Sequence, residues 1–240
     1  MSESLDTTVE QAPSPSFRLP LALSLATTVA AAALAGGAVW QLPAGTRVPM
    51  HWNVQGKADG FGSRNSLFFI PGLMLGLTLL FLVLPRIEPR RGNLLRSSKA
   101  FKAVWLAVIA FFGGLEIVIV MAALGRPAAI NTYCLAGMGA LFIVLGNYLG
   151  KVRSNFVFGI RTPWTLSSEL AWNKTHRAGG WLFVVAGLAL VALAIAGAPS
   201  VWLLGALVGF LILALVLLMT YSYLVWRSDP NKTASSNGVH

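Results

Sequence analysis

The chain has 240 residues, 56% hydrophobic and only 11% charged, with a mean hydropathy of +0.70; a water-soluble domain carries roughly 25% charged residues, so most of this surface is not made for water. Eighteen Lys and Arg against eight Asp and Glu give a net charge of +10, which beside so much hydrocarbon reads as loops against anionic lipid, with no direct binding of nucleic acid. The single cysteine, Cys134, excludes an internal disulfide and a cysteine-based metal site.

The composition predicts an all-α fold, a polytopic transmembrane bundle of six helices with a small extended, turn-rich outer loop. A span needs about 20 apolar helical residues to cross a core of about 30 Å. Helices are required because every backbone N–H and C=O must be paired within its own segment. Residues 1–18 are rich in Ser, Pro and acid and read as a disordered cytoplasmic N-terminus. The first span is expected at Leu19–Trp40. Glu3, Asp6 and Glu10 precede it against one Arg, so it reads as a retained helix and not a cleaved signal.

Residues 41–66 form the first loop. Pro49 holds Val48 extended, and Asn53 to Gly56 and Asp59-Gly60 are turn signals. His51 and Asp59 have metal-ligand chemistry, but no second His or Cys stands nearby, so His51 is expected to fix the loop by hydrogen bonding, with no metal. The second span follows at Leu67–Ile87, closing a first unit of residues 19–87. Arg86, Arg90, Arg91, Arg96, Lys99 and Lys102 then surround Pro85, Pro89 and Gly92 in a loop expected to rest on lipid headgroups.

The third span, Phe101–Leu124, carries Glu116 eight residues from its end, about 12 Å along the helix. An ionised carboxylate there costs on the order of 3 kcal/mol, so Glu116 faces the bundle or is protonated. Arg126, Asn131 and Asn147 are its candidate partners. The fourth span is Ala128–Leu149, the fifth Gly180–Ala198 and the sixth Val201–Trp226, with Gly197-Ala198-Pro199-Ser200 turning between the last two. Residues 227–240 read as a disordered tail. Gly72 and Gly76, Gly146 and Gly150, and Gly205 and Gly209 are spaced for close helix packing, expected within the bundle. Trp40, Trp105, Trp181, Trp202 and Trp226 are placed as an interfacial belt.

With six spans, fourteen of the eighteen Lys and Arg fall on the side of both termini, and Arg47, Lys57, Arg64 and Arg126 on the other. The excess places both termini in the cytoplasm. The loop of residues 41–66 then lies outside and that of residues 150–179 inside.

The inner loop is the richest segment: Asn155, then Gly159-Ile160-Arg161-Thr162-Pro163-Trp164-Thr165-Leu166, then Trp172, His176 and Gly179-Gly180. Gly159 permits backbone geometry closed to other residues, and Thr162 is pushed extended by Pro163. Ser167 or Ser168 is placed to cap a short helix with Glu169 in its first turn. Trp172, His176 and Gly179 or Gly180 recur at helical spacing and share a face. Arg161 offers a fork for a carboxylate, a lipid phosphate or a peptide C-terminus. A structural reading stands beside this, in which Arg161, Trp164 and Trp172 anchor the loop to headgroups and helix ends.

Two of these segments resemble known proteins. Pro49, His51-Trp52-Asn53, Gly56 and Asp59-Gly60 are similar to a short domain of unknown function found between the first helices of SdpI-type membrane proteins. The segment from Asn155 through Trp164 to Trp172 and His176 resembles the signature of the SdpI family itself, bacterial proteins of the cytoplasmic membrane. Ser154 stands where related sequences often have proline, which is expected to loosen the start of the loop. The family's four-helix portion then corresponds to residues 88–226. The resemblance implies a non-enzymatic role without cofactors. It implies protection of the producing cell from a secreted peptide toxin and, as in the family's namesake, retention of a small cytosolic DNA-binding repressor. A small transporter or ion-coupled exporter using Glu116 is the alternative. An enzyme ranks last, because no metal-protease or serine-hydrolase motif is present and no paired carboxylates stand beside a nucleophile.

Overall fold

The computed structural model describes residues 15–232. Helix α1 (Arg18–Gln41) leads into strands β1 (Arg47–Trp52) and β2 (Ala58–Ser63), then a 3₁₀ turn and α2 (Phe69–Ile87). A short α3 (Arg91–Arg96) precedes α4 (Ser98–Ala123) and α5 (Ile130–Leu149). The single turn α6 (Pro163–Leu166) is followed by α7 (Glu169–Ile195) and α8 (Ser200–Arg227). Six of the helices are long and apolar enough to cross a membrane, and the chain is a multi-pass membrane protein. Their outer faces carry unshielded hydrocarbon, such as Ile195 (77% exposed) and Leu215 (61% exposed), as lipid contact requires.

The connections fall at two ends. At the hairpin end, β1 and β2 pair antiparallel with Arg47 opposite Ser63 and Trp52 opposite Ala58. The Asn131 amide on α5 holds this hairpin by donating to the Asn53 and Val54 carbonyls. At the opposite end, here the motif end, the loop after α2, the loop after α5 and the residues after α8 meet.

Two packing units share the bundle. Phe81, Phe101 and Trp105 pack together where α1, α2 and α4 converge, the Phe81 and Trp105 rings stacked 5.4 Å apart and 6° from parallel and Phe101 edge-on to both. Trp105 is fully buried, so it leaves the expected interfacial belt and joins the core; Trp40, Trp181 and Trp202 stay largely exposed. The second unit is α5 against α7. A β-carbon on Gly146 would lie 2.5 Å from the Gly180 carbonyl oxygen, and one on Gly187 2.5 Å from that of Gly139. The two helices therefore touch backbone to backbone at two levels one heptad apart, as small residues allow. Gly72, Gly76, Gly205 and Gly209 meet nothing within 4 Å. Their expected role in packing within the bundle is not what the fold uses, because their faces point away from neighbouring helices.

The fifth span starts well before the expected Gly180. Ser168 caps α7, accepting from the Ala171 N–H at 3.0 Å, and the helix runs unbroken to Ile195. Gly179 and Gly180 do not interrupt it, because close neighbours fill the space their missing side chains leave. Helix α8 continues to Arg227, and residues through Asp229 to Lys232 fold back on the bundle, which shortens the expected tail. The expectations for residues 1–14 and 233–240 lie outside the described residues.

Candidate functional site

The motif end is built around Asn155, which is fully buried. Its side-chain oxygen accepts from the Val157 and Phe158 N–H groups, each at 2.9 Å, and its amide donates to the Arg153 carbonyl at 2.8 Å. One side chain thus closes a turn that the backbone alone leaves open. Gly159 follows with φ +121°, and a β-carbon there would lie 2.5 Å from His176 Nε2. Both the backbone angle and the space require glycine at this position.

His176, fully buried on α7, uses both ring nitrogens. Nδ1 lies 2.8 Å from the Trp172 carbonyl, which can only accept, so Nδ1 carries the proton. Nε2 then accepts from the Ile160 N–H at 2.9 Å. Trp172 stacks on the imidazole at 3.9 Å and donates its indole N–H to the Val152 carbonyl at 2.7 Å. These two side chains therefore support the loop from within. Trp172 does not reach headgroups, and His176 has no ring nitrogen left for proton transfer.

Thr162 and Thr165 form a reciprocal cap on α6, with Pro163 at its first position. The Thr165 hydroxyl donates to the Ile160 carbonyl at 2.8 Å, and Thr162 meets Ser222 of α8 at 3.1 Å. Trp164 packs edge-on against Tyr223 at 5.3 Å. Arg161 is exposed and donates from its guanidinium to the Phe156 carbonyl.

Part of the loop after α2, together with the start of α3, forms the other half of this site, while Arg86, Arg91, Arg96 and Lys99 stay exposed. The Glu88 carboxylate is buried and accepts from the Arg90 N–H at 2.8 Å and, with both oxygens, from the Phe156 N–H at 3.1 Å. Arg90 donates to the Ser154 hydroxyl and to the Leu166 carbonyl, and lies over the Phe156 ring. Asn93 donates to the Ser154 carbonyl at 2.8 Å, and the Arg153 N–H donates to Ser97 at 2.9 Å. Ser154 therefore clamps the start of the loop instead of loosening it. At the other border, Ser168 donates to the Asp229 carboxylate, which ties α7 to the residues after α8. That hydroxyl, then the Asn231 N–H, holds the Asp229 carboxyl below its usual range.

Sequence reasoning missed Glu88, Arg90, Asn93 and Asp229 as site residues. Glu88 did leave a signal, as the lone acid within a strongly basic loop. The other three look like ordinary polar loop residues until the chain is folded.

The hairpin is a separate constellation at the other end. His51 Nδ1 and Asp59 Oδ1 lie 2.5 Å apart across the strands and form a hydrogen-bonded pair. His51 thus fixes the loop, and no cluster of three metal-ligating side chains occurs among the described residues. The Asn53 side-chain oxygen accepts from the Gln55 and Lys57 N–H groups at 3.0 Å, and Gly56 takes φ +78° to complete the turn. Asp59-Gly60 lies within β2 and makes no turn, because Asp59 is held by the cross-strand His51. Pro49 pairs with Phe61, and Trp52 lines a cleft with Asn131 and Leu204. Glu116 stands apart from both ends. It is fully buried, and neither carboxyl oxygen has a hydrogen-bond partner among the described residues. Asn131 is occupied by the hairpin, and Arg126 and Asn147 are exposed, so none of the three expected partners serves it.

Comparison with known proteins matches these two ends separately. Residues 151–223 match the SdpI/YfhL protein family, and residues 27–75 match a domain of unknown function, DUF1648. The immunity protein SdpI of Bacillus subtilis (strain 168) is 25% identical over 176 residues, covering 73% of this chain and 83% of that protein. No solved structure matches the chain. The chain is thus a multi-pass membrane protein that resembles the SdpI/YfhL family through its motif end and DUF1648 through its hairpin end.

Proposed function

We propose that this protein protects the bacterium that makes it from an exported peptide toxin. The observation that carries the reading is the division of one six-span bundle into two built constellations at opposite ends, one centred on a segment that matches the SdpI/YfhL family and the other on a segment that matches DUF1648. The relative named as an immunity protein supports it. In this reading the hairpin faces outward and meets the peptide, and the motif end and both termini lie in the cytoplasm. The fourteen cations on the motif side favour that orientation.

A small cytosolic DNA-binding repressor is the partner at the motif end. The residues open to it are Arg153, Phe156, Arg161 and Pro163, which are exposed, whereas Asn155, Gly159, Trp172 and His176 set the shape of the loop. Toxin controls that partner only if it binds one arrangement of the bundle more tightly than another. The test is deletion of the gene and challenge with the cognate peptide: survival falls if the reading is right, and equal survival refutes it. Orientation is tested in a Cys134→Ser background with Lys57→Cys or Lys174→Cys. An impermeant thiol reagent on intact cells should label only the first, and equal labelling refutes the sidedness.

A transporter is the second reading, favoured by the buried carboxyl of Glu116 that lacks a partner among the described residues. Proton- or ion-dependent flux in liposomes, lost in Glu116→Ala, would support it over immunity alone.

A further inference from the structure

At the motif end, a furrow of about 570 Å³ lies between the end of α5 and the first half of α7, away from the loop residues described above. Its upper rim carries Lys151 and Arg177, and none of the described residues lining it is acidic. Both cations are exposed, and Arg177 makes no hydrogen bond or ion pair within the described residues. Asn147 adds an exposed amide beside them.

Below this rim the lining changes character. Arg177, Gly180, Trp181 and Val184 recur at i, i+3, i+4 and i+7, so they form one stripe of α7 about 10 Å long. The stripe runs from charge, through the 71% exposed Trp181, to aliphatic surface. That is the order of a bilayer leaflet: phosphate, interface, hydrocarbon. The furrow exists because the backbones of α5 and α7 touch here, leaving no side chain to fill the groove above the contact.

We infer that this furrow is a specific site for an anionic phospholipid. Its phosphate is held between Lys151 and Arg177 with Asn147 donating, and one acyl chain lies along Gly180 and Val184 beneath the Trp181 ring. Charge complementarity selects an anionic headgroup over a zwitterionic one, as in other basic pockets between membrane helices. The inference does not depend on an immunity role or on which end faces the cytoplasm.

The test is native mass spectrometry of the full-length protein, delipidated in mild detergent and titrated with phosphatidylglycerol or phosphatidylcholine. One phosphatidylglycerol is expected to bind at least tenfold more tightly than phosphatidylcholine. Lys151→Gln/Arg177→Gln should abolish that preference. Asn147→Phe, placed at an exposed position to fill the furrow while keeping both cations, should lower occupancy at least fivefold. Arg96→Gln/Lys99→Gln, which removes the same charge from the α3–α4 junction at this end of the bundle, should leave it unchanged. Three results would overturn the inference. One is equal loss in the Arg96/Lys99 variant, which means general charge attraction. Another is equal competition by glycerol phosphate without acyl chains, which means an anion site only. The last is a dimeric mass that excludes lipid and is broken by Asn147→Phe, which means a second copy occupies the furrow.

Discussion

Glu88 offers the sharpest test of how the motif end is held together. Its carboxylate takes two backbone N–H groups, one of its own loop at Arg90 and one across the site at Phe156. A hydrogen bond to a charged group contributes about 1.5–3 kcal/mol, and a buried donor left unpaired costs a similar amount. Glu88→Ala removes both bonds at once. Part of the loss is recovered by water when the loop opens, so a net cost of about 2–4 kcal/mol is expected. At about 1.4 kcal/mol per factor of ten, that raises local opening roughly 30- to 700-fold. Glu88→Gln keeps one acceptor oxygen without the charge, and about a threefold to tenfold increase is expected. The assay is amide hydrogen exchange of the protein in detergent, read on peptides covering residues 153–162, with peptides from α4 as an internal control. The graded order of alanine, glutamine and wild type is the essential result. Exchange at Phe156 that is unchanged in Glu88→Ala would refute the clamp, as would an equal increase across α4.

Three further outcomes follow from the packing and the chemistry. Gly146→Val should strongly destabilise the bundle, by about 3 kcal/mol or more, because its side chain meets the backbone of α7, which cannot yield as a side chain can; Gly205→Ala, with nothing within 4 Å, should be neutral or gain up to about 1 kcal/mol. Fluorescence-detected thermal unfolding in detergent distinguishes them, and equal midpoints would contradict the seam. Glu116→Met should raise that same midpoint, since it replaces a buried carboxyl that has no partner among the described residues with a side chain of similar size; a lowered midpoint would reveal a partner that only the working protein engages. The Asp229 carboxyl is held below its usual range chiefly by Ser168, so its contribution is fully present above the ordinary carboxylate range and fades as pH falls through the lowered value. Protease cleavage after Arg227 should therefore accelerate on acidification in wild type, and Ser168→Ala should shift that onset to higher pH; an onset independent of Ser168 would refute the tie.

The six spans and their alternation were legible in the chain because hydropathy over 20 residues responds to the bilayer, whose demand is the same whatever the neighbours. The turn residues Asn53, Gly56, Gly159 and Gly197 were legible too, because their conformations are local. The same holds for the capped start of α7 at Ser168. Which face of a helix meets which neighbour is not local, and there the chain misleads. Trp105 sits near a span end like the other tryptophans, yet the convergence of α1, α2 and α4 buries it. Three glycine pairs share one spacing, but only the pair that includes Gly146 lies in a helix seam; the partners that complete the seam, Gly139, Gly180 and Gly187, come from a different pattern. The site divides in the same way. The need for glycine at 159, the extended Thr162 before Pro163 and the shared face of Trp172 and His176 follow from residue types and spacing. The site's clamp does not, because Glu88, Arg90 and Asn93 reach Ser154, Phe156 and Leu166 across more than 60 positions of chain. A hydrogen bond across such a distance depends on where two helices end in space, and only the packed bundle fixes that.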